Sequence, residues 1–150
     1  MIYLEKIAMD KTEKIIWDSR FSVGNTKIDD EHKKLIGVVN DLIEFVEFKK
    51  DREEFAKILS EMTDYCLTHF KKEENYMKKF AYPDFTKHHT LHTDYIYKVA
   101  MYNIELSENI PPDPKEIISF LEKWWTSHIM IVDREYEVYK NKIQSDVIYE

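Results

Sequence analysis

The sequence predicts an all-α protein: an antiparallel up-down-up-down four-helix bundle preceded by an irregular N-terminal arm. Three observations carry this expectation. Apolar residues recur at alternating steps of three and four along four separate segments, the spacing of one buried helix face. Short polar or proline-containing connectors join those segments, which favours antiparallel neighbours. The chain also has only two glycines and four prolines in 150 residues, too few for an all-β protein full of turns.

Residues 1–28 read as the arm, holding Trp17, Phe21, Val23 and Gly24. Asp29 or Asp30 is the expected N-cap of a first helix over about 29–48, whose seam is His32, Leu35, Val39, Leu42 and Val46. A polar run around residues 48–54 reads as a turn. The second helix, about 52–80, has the seam Phe55, Leu59, Met62, Cys66, His69, Glu73, Tyr76 and Phe80. Ala81-Tyr82-Pro83 stops it, because proline lacks an amide hydrogen and restricts the residue before it. A third helix over about 83–107 carries Phe85, His88, His92, Tyr95, Val99, Tyr102 and Leu106. After the connector at 108–114, a fourth over about 113–143 turns Ile117, Leu121, Trp124 and His128 inward. We expect one domain across residues 1–150.

Composition narrows the function. The net charge is −7, and no Lys/Arg stripe is interleaved with aromatics, so no nucleic-acid partner is expected. The N-terminal stretch is broken by charges every few residues and reads as neither signal peptide nor membrane span, so no membrane insertion is expected. The lone cysteine, Cys66, excludes an internal disulfide and suits a cytoplasmic location. It reads as a small core residue. Oligomeric state is not legible.

The seams contain residues that do not belong in an apolar core. His32, His69, Glu73, His88, His92 and His128 all stand where Leu or Val is expected. His69 and Glu73 lie one turn apart on one face, as do His88 and His92. A lone inward histidine is more often a core residue bonded to a carbonyl, and one His-x-x-x-His pair is weak support for a site. Here five of six histidines fall on independently drawn seams, leaving out only His89. A buried carboxylate among five imidazoles needs a common counter-charge, which a metal supplies. The zinc-protease pattern, a cysteine pair and the Glu-x-x-His pairs of ferritin-like proteins are all absent. Five imidazoles with carboxylates exceed the needs of one ion and suit two borderline ions such as iron. The charge run Lys71-Lys72-Glu73-Glu74 otherwise reads as a solvated face.

The segments VGNTKIDDEH (23–32), HFKKEENYM (69–77), YPDFTKHHTLH (82–92) and WWTSHIMIVD (124–133) resemble the hemerythrins, especially bacteriohemerythrins, as does Trp17. The resemblance implies seven ligands: His32, His69, Glu73, His88, His92, His128 and Asp133. His88, His92 and His128 would hold one iron, and His32 and His69 the other. Glu73, Asp133 and an oxo or hydroxo group would bridge the two non-haem irons. Those donors fall one short of two octahedral shells, and the vacancy, beside His32 and His69, is where O2 is expected. The implied function is reversible O2 binding for storage, delivery, scavenging or sensing, and the chain would not be an enzyme. A transient O2-accepting enzyme is a compatible partner. The alternative is a di-iron enzyme acting on peroxide, NO or ferrous iron with the same ligands.

Two positions in the last helix need separate treatment. His128 and Asp133 are five apart, which turns Asp133 about 140° from His128 in a regular α-helix. A π-bulge or local distortion between Trp125 and Asp133 is therefore expected, and it would continue the seam as Tyr136, Lys140, Ile143 and Val147. Trp125 stands where relatives usually carry an aliphatic residue. With Ile129 it is assigned to the O2 pocket, and an inward indole would narrow that pocket whereas an outward one would not touch it.

Overall fold

The computed structural model describes residues 13–150; the first twelve residues of the expected arm lie outside them. Four helical rods follow the arm: α1 (Thr26–Phe48), α2 (Arg52–Lys79), α3 (Phe85–Ser107) and a composite fourth rod. The fourth rod runs as α4 (Pro114–Trp124), a π-helical segment (Trp125–Asp133) and α5 (Arg134–Lys142). No strand occurs among the described residues. Packing of α2 against α1 and α3, and of α1 against α4, arranges the rods as a bundle. No described helix is long and apolar enough to cross a membrane.

Local chemistry sets the helix starts. The Asn25 side chain accepts from the amides of Lys27 and Ile28, Asp51 from that of Glu54, and Asp113 from that of Lys115 with Pro114 following. The first helix therefore begins at Thr26, and the expected cap at Asp29 or Asp30 is corrected. Asp29 is buried instead, accepting from the Val23 amide (2.9 Å) and the Ser22 hydroxyl (2.5 Å), which pins the end of the arm to α1. Asn25 was the better cap because its side chain can reach two free amides, a contact that periodicity does not report.

The helix ends share one device despite the scarcity of glycine. Lys49, Ala81, Asn109 and Gln144 all take positive φ, between 49° and 59°. Each precedes an amide that reaches back five residues: Lys50 to Phe45, Tyr82 to Met77, Ile110 to Glu105 and Ser145 to Lys140. This is the Schellman closure, which satisfies carbonyls left over at a helix end. A side chain in that conformation costs about 1–2 kcal/mol relative to glycine, and the closure holds it there. Pro83 then prevents α2 from continuing.

The arm is attached along the bundle. Asn40 bonds the backbone of Ile15 in both directions, at 2.7 and 2.9 Å, and Arg134 donates to the carbonyls of Arg20 and Ser22. Buried apolar residues form two clusters. One includes Leu35, Leu42, Leu59, Met62, Val99, Leu121 and Ile129; the other includes Val23, Ile28, Tyr76, Met77, Tyr136 and Tyr149. A layer of polar side chains separates them. His32 falls between Ile28 and Leu35, His69 and Glu73 between Met62 and Tyr76, and Asp133 between Ile129 and Tyr136.

Candidate metal centre

Every residue in that layer is at most 3% exposed: His32, His69, Glu73, His88, His92, His128 and Asp133. The helices deliver them one turn apart, His69 with Glu73 on α2 and His88 with His92 on α3. The π-helical segment carries His128 and Asp133, and its five-residue bonding period does for them what a four-residue period does elsewhere. His128 Nε2 lies 3.0 Å from Asp133 Oδ1. Tyr136 follows inward with no exposure, as the shifted seam requires, while Ile143 is exposed because α5 ends at Lys142.

The donor atoms fall into two groups, each with its atoms within 4.8 Å of one another. Glu73, His88, His92, His128 and Asp133 form one group; His32, His69, Glu73 and Asp133 form the other. Both carboxylates belong to both, with one oxygen on each side. Glu73 Oε1 lies 3.2 Å from His88 Nε2 and 3.1 Å from His92 Nε2, whereas Oε2 lies 2.7 Å from His69 Nε2 and 3.7 Å from His32 Nε2. Asp133 Oδ1 faces His88 (3.1 Å) and His128, and Oδ2 faces His32 at 3.2 Å. Each carboxylate thus turns one oxygen to each group of imidazoles.

His88 Nε2 pairs with Glu73 Oε1, but most of the converging atoms are left unpaired. Nε2 of His32, His69 and His128, Oε2 of Glu73 and Oδ1 of Asp133 are buried and lack an aligned hydrogen-bond partner. Leaving such groups unpaired in a dry interior is costly, and two cations seated among them would satisfy all five. The residues fit a pair of metal ions on that ground. The electrostatics agree. Burial alone would raise the carboxyl of Glu73, but His69, His32 and His88 hold it well below the usual carboxylate range. Burial and Glu73 also raise Asp133, yet His128 and His32 outweigh them and hold it down. Burial lowers His69 and His88, but their carboxylate neighbours push them up to about 9 and about 10. The layer thus attracts positive charge, protons or metal.

Ring contacts fix the imidazole planes. His92 stacks on Phe70 (3.9 Å, 2°), His128 on Trp124 (3.9 Å, 13°) and His69 on Tyr65 (4.8 Å, 18°). Trp125 settles inward: it is 2% exposed and meets Phe21, Trp17 and His32 edge to face. Ile129 is fully buried one turn later in the same cluster. Cys66 stands outside both donor groups; its thiol is buried, donates to the Thr63 carbonyl, and is pushed up to about 11 by that burial. His89 is exposed and also lies outside them.

The outer nitrogens reveal residues that the sequence reading passed over. His69 Nδ1 donates to Glu31 Oε2 at 2.8 Å, while Lys72 donates to Glu31 Oε1 at 2.7 Å and the Tyr149 hydroxyl donates to Oε2. Burial pushes Glu31 up, but hydrogen bonds from His69, Lys72 and Tyr149 hold it down at about 2. Glu74 accepts from Nδ1 of His92 (3.1 Å) and of His89 (2.7 Å), which corrects its reading as part of a solvated face. Both glutamates adjoin a seam residue, Glu31 before His32 and Glu74 after Glu73. That adjacency was the only signal available.

The hemerythrin HHE cation binding domain matches residues 23–137. Over 125 residues the chain is 33% identical to a bacteriohemerythrin of Clostridium acetobutylicum, spanning 81% of this chain and 97% of that protein. A hemerythrin-like protein of Naegleria gruberi is 30% identical over 122 residues, covering 81% and 89% respectively. A bacteriohemerythrin of Stenotrophomonas maltophilia is 27% identical over 124 residues, covering 81% and 78%. Together with the helical bundle and its buried layer of histidines and carboxylates, these similarities establish that the chain belongs to the hemerythrin family.

Proposed function

We propose that this chain binds dioxygen reversibly at a pair of iron ions held by His32, His69, Glu73, His88, His92, His128 and Asp133. The observation that carries the reading is the unequal division of protein donors, five in one group and four in the other. If the two metals are alike, the poorer half retains an open position for a small ligand. Imidazoles and carboxylates without a thiolate suit a borderline ion such as iron. Two ferrous ions so held would supply two electrons to one dioxygen molecule and recover them on its release.

The chain's own residues supply the surroundings. Glu73 and Asp133 present one oxygen to each half, so each could serve both ions of a bound pair. Trp125 covers His32 edge to face, and with the buried Ile129 it belongs to the apolar cluster beside the layer. Such walls exclude water and disfavour escape of reduced oxygen species, which suits a carrier for storage, delivery, scavenging or sensing of O2 in the cytoplasm. An O2-accepting enzyme would then meet the protein only transiently.

The test is to load the protein with Fe(II) anaerobically, admit O2 and record the visible spectrum. A charge-transfer band that appears with O2 and vanishes on deoxygenation is expected. Immediate conversion to the ferric form without that reversal, or sustained turnover of peroxide or NO, would overturn the carrier reading in favour of a di-iron enzyme.

A further inference from the structure

The non-helical tail after Ile143 returns to the bundle and buries Tyr149 to 2% exposure. Its ring packs edge to face on Tyr76 of α2, with centroids 5.3 Å apart. Its hydroxyl donates to Glu31 Oε2, the oxygen that also accepts from His69 Nδ1, and lies 3.3 Å from that nitrogen. The tail lies beyond the segment that matches the family, which ends at residue 137.

Glu31 needs the support. On one flank of the Glu31–His69 pair a groove of about 320 Å³ opens between α1 and α2, lined by Lys34, Val38, Tyr65 and Thr68. A carboxylate at its edge could rotate into water. Lys72 holds the other oxygen, but its side chain is 46% exposed and its grip is screened. The Tyr149 hydroxyl is the buried restraint. With Glu31 fixed, Nδ1 of His69 keeps the proton and Nε2 keeps its lone pair turned toward Glu73 and His32.

We propose that Tyr149 is a positioning residue for the His32–His69 half of the centre, acting through Glu31, so that the C-terminal tail is a strap closing the poorer half. This rests on the two-metal reading, and Co(II), which can be followed by absorbance and metal analysis without any O2 chemistry, tests both. Wild-type chain should take up two Co(II) per chain. Tyr149→Phe keeps the ring on Tyr76 and removes only the hydroxyl. It should weaken one of the two Co(II) affinities by about tenfold and leave the other within about twofold, as loss of an outer hydrogen-bond partner does. Glu31→Gln should weaken the same affinity, and adding Tyr149→Phe to it should cause little further loss, because both act along one path. Equal weakening of both affinities would mean general loosening and overturn the proposal, as would no change in either. Independent, multiplying effects of the two substitutions would overturn it too. A wild-type chain that takes up fewer than two Co(II) would overturn the two-metal reading, and the proposal with it.

Discussion

Replacing Trp125 with leucine tests whether the indole both supports the fold and narrows the site. The side chain is 2% exposed and meets Phe21 at 5.1 Å, Trp17 at 6.3 Å and His32 at 6.4 Å, all near perpendicular. Truncating a buried tryptophan to alanine costs about 3–5 kcal/mol. Leucine refills part of the space, leaving about 2 kcal/mol. Loss of three edge contacts, at about 0.5 kcal/mol each, brings the total to about 3.5 kcal/mol. For a chain of this size each kcal/mol lowers the melting temperature by about 2–4 °C, so a fall of about 7–14 °C is expected. Thermal unfolding of the metal-free protein measures it without reference to O2. In the iron-loaded protein the widened pocket should speed O2 release by at least about tenfold, equivalent to about 1.4 kcal/mol off the barrier. Stopped-flow spectroscopy follows that step. A melting point within about 2 °C of wild type would refute the packing argument. An unchanged release rate would refute the claim that Trp125 restricts the pocket.

Two further substitutions probe the centre and its attachment. Glu73→Gln keeps the shape but exchanges one oxygen for an amide nitrogen, so one half loses a donor; bound metal should fall from two ions per chain to at most one, and two retained ions would rule out a bridging role for Glu73. Asp29→Ala leaves the buried Val23 amide without its acceptor, at a cost of about 2 kcal/mol. That corresponds to a fall of about 4–8 °C in melting temperature, and a change under 1 °C would dismiss the latch between arm and bundle.

Much of this architecture was written in local pattern. A buried helix face repeats every three or four residues, so the seams located the four helices and marked the polar positions within them. The spacing of His128 and Asp133 was informative for the same reason: five residues do not stay on one face of an α-helix, and the chain adopts a π-helical segment there. The start of α1 was misplaced because Asn25 caps through side-chain geometry, whereas the conspicuous Asp29 is used to hold the arm. Glu74 looked like surface charge because its role depends on a histidine 18 residues away on another helix.

By itself, then, the sequence determined which residues turn inward and which kinds of donor they carry, because both follow from helical period and side-chain chemistry. The resemblance implied how those donors divide, and only the tertiary structure gave that division its geometry. It gave Glu73 and Asp133 one oxygen toward each half, placed Trp125 edge-on to His32, and brought Tyr149 from an aperiodic tail to the Glu31–His69 pair. These contacts join helices, arm and tail through packing between elements distant in the chain, and such packing leaves no period in any one of them.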